Sequence, residues 1–252
     1  MEVHAHTHAE RKKFTHYLWE FLMLFLAIFC GFLAENLREH IVEQKRTKLY
    51  AQQFYEELKL DTSSLIDFIK HSKNVYKGYD NLINILKVGL QGDKEWKELY
   101  YSSRGVDVYN TVTFHNASFE QIKNSGSLRY FNSKSLVDAI QEYVGAKDYV
   151  ESFQTGLINY YDNRFTPFIE ANFDKELLYY DADSPGRFDS LWDKSSKPTM
   201  FLSGNKNAAT MYKNMLITIR DFYVQSLGNF YIGLLSKSNR LIDILKKEYY
   251  LK

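Results

Sequence analysis

Cysteine is almost missing: the chain has one, Cys30. One thiol excludes an internal disulfide and any cysteine-rich metal site, and it leaves the redox compartment unread. Proline is scarce as well, with three residues beside twelve glycines, a composition that argues against long disorder. Neither sign of charge is in excess, since 32 basic and 31 acidic residues leave a formal charge of +1. The charges are interspersed, so the electrostatic footprint of a nucleic-acid binder is absent and no nucleic acid is expected as a partner. Catalytic motifs are lacking too. There is no phosphate-cradling glycine loop, no nucleophile elbow and no HExxH. His71 and His115 stand alone in sequence and read as surface or satisfied core residues. Asp181 and Asp183 lie in a polar stretch and read as turn formers. The chain therefore reads as a non-enzyme, with no catalytic residue and no cofactor.

Long apolar runs occur in one place only. "HYLWEFLMLFLAIFCGFLAENLREH", residues 16–40, has three readings: a buried core helix, a cleaved signal peptide or a permanent membrane span. Phe21 to Ala34 carries no charge. Extension from Tyr17 to Asn36 reaches the roughly 20 residues that cross about 30 Å of hydrocarbon. It takes in Glu20 and Glu35 near the ends, where a carboxylate reaches headgroups or water. Tyr17 and Trp19 suit the interface. The run is apolar on every side, as lipid or a deep core demands, and no second element of that kind exists to bury it. A signal-peptide cut after Ala34 would put bulky Phe32 where a small residue is needed, and a lipoprotein cut before Cys30 meets Ile28 and Phe29. The expectation is an uncleaved anchor over residues 14–36, behind a polar tail at 1–13.

Orientation rests on charge. Arg11, Lys12 and Lys13 precede the run, and Arg38, Lys45, Arg46 and Lys48 follow it. Long domains translocate largely regardless of charge, so the triplet favours a cytoplasmic N-terminus with the domain outside the cytoplasmic membrane. Ala27, Gly31 and Ala34 have the spacing that lets helices approach closely in lipid, which points to a protein partner or a homo-oligomer. His16 and Glu20 sit one turn apart and read as an interfacial ion pair, with a proton relay as the alternative. His4, His6 and His8 alternate in the tail. An extended tail could chelate zinc, nickel or copper through them, but no supporting shell is visible. Beside the basic triplet they would also favour anionic lipid.

Beyond the anchor the pattern turns helical. Phe54, Leu58, Leu65, Phe68, Val75, Tyr79, Leu82 and Leu86 form a heptad-like seam, interrupted by polar Asp61 and Ser72. No proline or glycine falls in residues 36–77, so the anchor and this segment can form one rod. "DKEWKELYY" reads as a short helix. "SSRGVDVYNTVTF" alternates like a strand but has no partner strand, and is taken as a connector. Asn116 or Ser118 can cap the next short helix, Ser118 having capping-box spacing to Gln121, and Ser125-Gly126 is a stop. Asn132 or Ser133 opens a helix to about Tyr161, and a last long helix covers about Asn205 to Tyr250. Irregular segments are expected at about 93–116 and 162–204, the second with one short helix around Pro167–Leu178. The fold class is all-α: a single N-terminal transmembrane helix followed by an elongated antiparallel helical bundle over residues 37–252. Twenty tyrosines and 18 phenylalanines supply its core. The basic, tyrosine-rich end of the last helix should return towards the membrane.

"HTHAERKKFTHYLWEFLMLFLAIFCGFLAENLREH" and "SFEQIKNSGSLRYFNSKSLVDAIQEY" resemble a family of uncharacterised single-span membrane proteins of Bacteroidota. The resemblance implies a bacterial membrane protein with a helical domain and no established activity. Together these readings favour an anchored interaction or scaffold protein, an accessory subunit of a membrane complex. A sensory or ligand-binding ectodomain that signals through a partner is the alternative.

Overall fold

With no proline and only Gly31 and Gly78 between positions 14 and 88, nothing in the chain stops a helix there. The computed structural model, which describes residues 14–106, 109–131, 133–178, 187–195, 201, 205 and 207–251, has one unbroken helix over that stretch. This helix, α1, runs Phe14–Val88 and counts 75 residues, a rod of about 110 Å at about 1.5 Å per residue. Gly89 ends it with φ 101, a left-handed turn that suits glycine.

Two halves of α1 differ sharply. No residue of 14–46 is buried. From Thr47 on, a seam of buried residues takes over, from Tyr50, Ala51 and Phe54 to Leu82 and Leu86. Among the described residues α1 is the one helix long and apolar enough to cross a membrane, and its apolar window is wholly exposed.

The chain then climbs down, up and down again beside α1. Helix α2 (Asp93–Ser102) caps the far end. Residues 109–116 form an extended connector that descends along α1 to α3 (Ala117–Asn124). Gly126 turns the chain with φ 68 into a 3-10 turn, Ser127–Tyr130. Helix α4 (Lys134–Tyr160) starts near the bare half of α1 and ascends. Its N-cap is Ser133, whose hydroxyl accepts the Leu136 N–H at 3.2 Å. Short helices α5 (Thr166–Asn172), α6 (Lys175–Leu178) and α7 (Arg187–Lys194) follow at the far end. Helices α8 (Ala208–Ser226) and α9 (Ile232–Tyr249) return antiparallel to α1. Their register is constant: Arg220 pairs with Asp80, Tyr231 meets Phe68, Ser238 bonds Thr62 and Lys246 lies over Tyr55. The result is the expected all-α bundle, with α1, α4 and α8–α9 as its long members.

Three expectations change in detail. The segment from 162 does not become irregular at once. Helix α4 passes through a π-turn, Tyr161–Phe165, directly into α5. Pro167 stands in the first turn of α5, just past the π-turn, and does not break the helix; the short helix expected around Pro167–Leu178 is present as α5 and α6. A second π-turn, Leu227–Tyr231, joins α8 to α9 within the final helix. The capping box at Ser118 and Gln121 does not form. Asn116, the other expected cap, is the N-cap of α3 but its side chain makes no capping bond, and the Glu57 carboxylate of α1 accepts the Ser118 N–H instead, at 3.0 and 3.2 Å. A carboxylate from a neighbouring helix thus does the work that the local residues were expected to do. Asp181 and Asp183 lie outside the described residues.

Candidate functional site

A strand-like segment without a partner strand leaves a row of backbone N–H and C=O groups to satisfy. Here the helices supply the partners through side chains. Gln154 of α4 acts as a single strand residue would: its Oε1 accepts the Val112 N–H at 2.6 Å and its Nε2 donates to the Val112 carbonyl at 3.0 Å. The Tyr231 hydroxyl donates to the same Oε1 at 3.2 Å. Tyr223 accepts the Asn110 N–H, and Tyr79 donates to the Val106 carbonyl, both at 3.4 Å. Buried Lys147 donates to the Asn116 side chain. Alternation then sends Val112 and Phe114 into the core and leaves Thr113 and His115 outside.

The strongest of these anchor points is Asp61. Its side chain is 1% exposed, in the middle of the α1 seam. Oδ1 accepts the His115 backbone N–H at 2.9 Å and lies 2.7 Å from His115 Nδ1. Oδ2 accepts the Tyr143 hydroxyl at 2.9 Å. A buried carboxylate persists only when it is hydrogen-bonded in this way. Burial first, and the Asp61 charge second, hold the Tyr143 phenol far above the usual range, which keeps it a donor. The His115 ring itself is 47% exposed, so the buried acid is linked to the surface through one imidazole.

That imidazole opens on a cleft between α1 and the connector. Two adjoining hollows of about 460 and 550 Å³ share His71 and Asn110. The first is walled by Ser64, Asp67, Thr113 and His115, the second by Asn74, Gly78, Arg104 and Tyr109. Arg104 lies over the Tyr101 ring at 3.8 Å and its Nε donates to the Tyr101 carbonyl at 2.9 Å, so the guanidinium is held in place. At this same level the core is least regular. Tyr161, in one π-turn, bonds Tyr79 at 2.6 Å, and Tyr231, in the other, packs against Phe68 with tilted rings whose centroids are 4.5 Å apart. Ser72, one residue past His71, has a buried hydroxyl with no partner among the described residues. Widened turns and orphaned polar groups collect at functional positions in helical proteins.

The residues singled out from sequence lie elsewhere. Tyr17, Trp19, Glu20, Ala27, Gly31 and Ala34 all sit on the bare half of α1. His16 Nε2 is 3.0 Å from Glu20 Oε1, the expected one-turn pair. A Cβ added at Gly31 would meet nothing within 4 Å. His4, His6 and His8 lie outside the described residues. Among those described, no group of three His, Cys, Asp or Glu side chains could hold a metal. His71 and His115, isolated in sequence, are brought to one cleft, and His115 is paired with Asp61. The available signal was phase: Asp61 and Ser72 occupy seam positions where an apolar residue belongs.

No protein-family model, no curated protein and no solved structure matches this chain.

Proposed function

We propose that this protein is a membrane-anchored interaction module that holds the α1–connector cleft at a fixed height above a bilayer for a protein partner. One observation carries the reading: the helix that walls the cleft is the helix that bears the apolar run, without a break from Phe14 to Val88. His71 follows Asn36 by 35 positions, a height of about 50 Å along the rod. Such a mast transmits position, which suits an accessory subunit of a membrane complex. The Arg11–Lys13 triplet supports a cytoplasmic N-terminus, and the resemblance of the opening residues supports a bacterial inner membrane with a periplasmic bundle.

The cleft also favours a second reading, a ligand-binding ectodomain that signals through a partner's span. Amide, imidazole and tyrosine groups converge there with volume for a small polar molecule. One variant tests both. Gly78 lines the cleft and has no atom within 4 Å of an added Cβ, so Gly78→Trp fills the space without a clash at the backbone. A stoichiometric partner recovered in mild detergent with the wild type and lost with Gly78→Trp is the expected result. A small molecule carried through purification and lost with Gly78→Trp, without any protein partner, would favour the second reading. A partner retained at full stoichiometry by Gly78→Trp rules the cleft out.

A further inference from the structure

The bundle has a floor that faces the apolar segment. Ile41, Lys45 and Lys48 of α1 meet Tyr130 of the 3-10 turn and Tyr249 of α9 around a hollow of about 400 Å³. Tyr249 also touches Phe131, with ring centroids 6.0 Å apart. Tyr250, just beyond, is 89% exposed. Burial and the neighbouring Glu248 push the Tyr249 phenol up to about 12, which keeps it neutral and amphipathic.

Charge on this floor is predominantly positive. Arg38 and Arg46 are neutralised by Glu35 and Glu43 on their own helix. Lys45 and Lys48 have no ion-pair partner among the described residues. Arg129 lies over the Tyr130 ring at 4.7 Å, and Lys247 stands in the last turn of α9. Besides Glu35 and Glu43, Glu39 of α1 and Glu248 of α9 bring acid to this end of the bundle. Glu39 falls on the opposite face of α1 from Lys48 at 100° per residue.

Height follows from helix geometry, because α1 carries both the floor and the apolar run. Lys45 is nine residues past Asn36, about 13 Å along the axis. Side chains on a helix lean towards its N-terminus, here towards the apolar run. A lysine stem lowers its ammonium by a further 5 Å or about that, as snorkelling lysines do. The ammonium then hangs about 8 Å above the hydrocarbon edge, at the outer limit of a headgroup layer about 5–8 Å deep.

We propose that this floor docks on anionic lipid headgroups of the bilayer that α1 crosses. The inference rests on residues 14–36 being a span. Lysines supply the attraction to lipid phosphate, and Ile41 lies lowest. Docking fixes the lean of the mast, and with it the direction in which the cleft looks.

The test uses the full chain with Cys30→Ser, reconstituted in phosphatidylcholine vesicles with or without phosphatidylglycerol. A fluorophore is placed in turn at Phe25→Cys, Tyr250→Cys and Val88→Cys, the last at the far end of α1. Nitroxides on acyl chains read the first label, and nitroxides on headgroups read the other two. Expected are quenching at 25 in both lipids, and quenching at 250 that is strong only with phosphatidylglycerol. Lys45→Gln and Lys48→Gln should each lower the docked-to-free ratio at 250 about fivefold, while 88 stays dark to the quencher. An unquenched label at 25 removes the span itself. Quenching at 25 with none at 250 above the level at 88 overturns floor docking alone. Quenching at 250 that ignores both lipid charge and the two lysines overturns recognition of anionic headgroups.

Discussion

Helix α1 is two different objects on either side of Thr47. Below it, the consecutive Phe21, Leu22, Met23 and Leu24 point outward on all sides and nothing among the described residues covers them. Above it, Phe54, Leu58, Leu65 and Leu82 share one seam and are covered completely or nearly so. The side chains are the same in kind. What differs is their distribution around the axis, and that distribution states which surroundings each half can tolerate. An apolar surface on every side needs an apolar medium, whereas a stripe needs only neighbouring helices.

Experiments can break this contrast or sharpen it. The largest effect should come from Asp61→Ala, because the His115 backbone N–H and the Tyr143 hydroxyl would both lose their acceptor in or beside the core. At about 1–3 kcal/mol for each stranded group, the bundle should lose about 4 kcal/mol, read as denaturant unfolding of the full chain in micelles by tryptophan fluorescence. A loss below about 1 kcal/mol would mean that Asp61 does not organise the connector.

Next in size is a matched pair of leucine truncations. Leu58 is fully buried in the seam, so Leu58→Ala should cost about 3 kcal/mol. Leu26→Ala, on the bare half, should leave bundle unfolding within about 0.5 kcal/mol of wild type. Equal losses would show that the two halves share one core after all.

A smaller effect is expected at high pH. Burial raises the Tyr143, Tyr231 and Tyr249 phenols above their ordinary value of 10.0. The folded state therefore keeps protons that the unfolded state gives up. Stability should be complete below pH 10 and decline above it, with Tyr249 ionising near 12 in the folded protein. Phenolate absorbance of the folded chain should show those three tyrosines ionising only above pH 10; a single transition of all phenols near 10 would contradict their burial.

The smallest effect on the bundle belongs to Gly31→Leu. The position is open, with nothing within 4 Å of a new Cβ, so unfolding should be unchanged. In membranes the larger side chain should lower cross-linking between copies or with a partner if the Ala27–Gly31–Ala34 face mediates contact. Unchanged yields would make that face incidental.

Periodicity made most of the helices legible. The seam through Phe54 and Leu58, the stop at Gly126, the cap at Ser133 and the last helix up to Tyr249 are local matters of phase and backbone freedom. Composition likewise disclosed the apolar run. The candidate site was hardly legible, because its parts come from separate elements. His71 and His115 are 44 positions apart in the sequence, and nothing near either one announces the other. Asp61 looked like a flaw in a seam until its three partners from α4 and the connector were in place.

Sequence alone thus determined where the long helices form, which face of each is apolar and that one stretch is apolar all round, since those properties belong to neighbours three and four residues apart. Tertiary structure alone decided how the connector is held, that Glu57 caps α3 in place of Ser118 and Gln121, and that two isolated histidines share a cleft. The reason is physical. A backbone group or a buried carboxylate must find a partner wherever the packed helices bring one, and that choice is made in space, across dozens of residues, by which side chains arrive within about 3 Å.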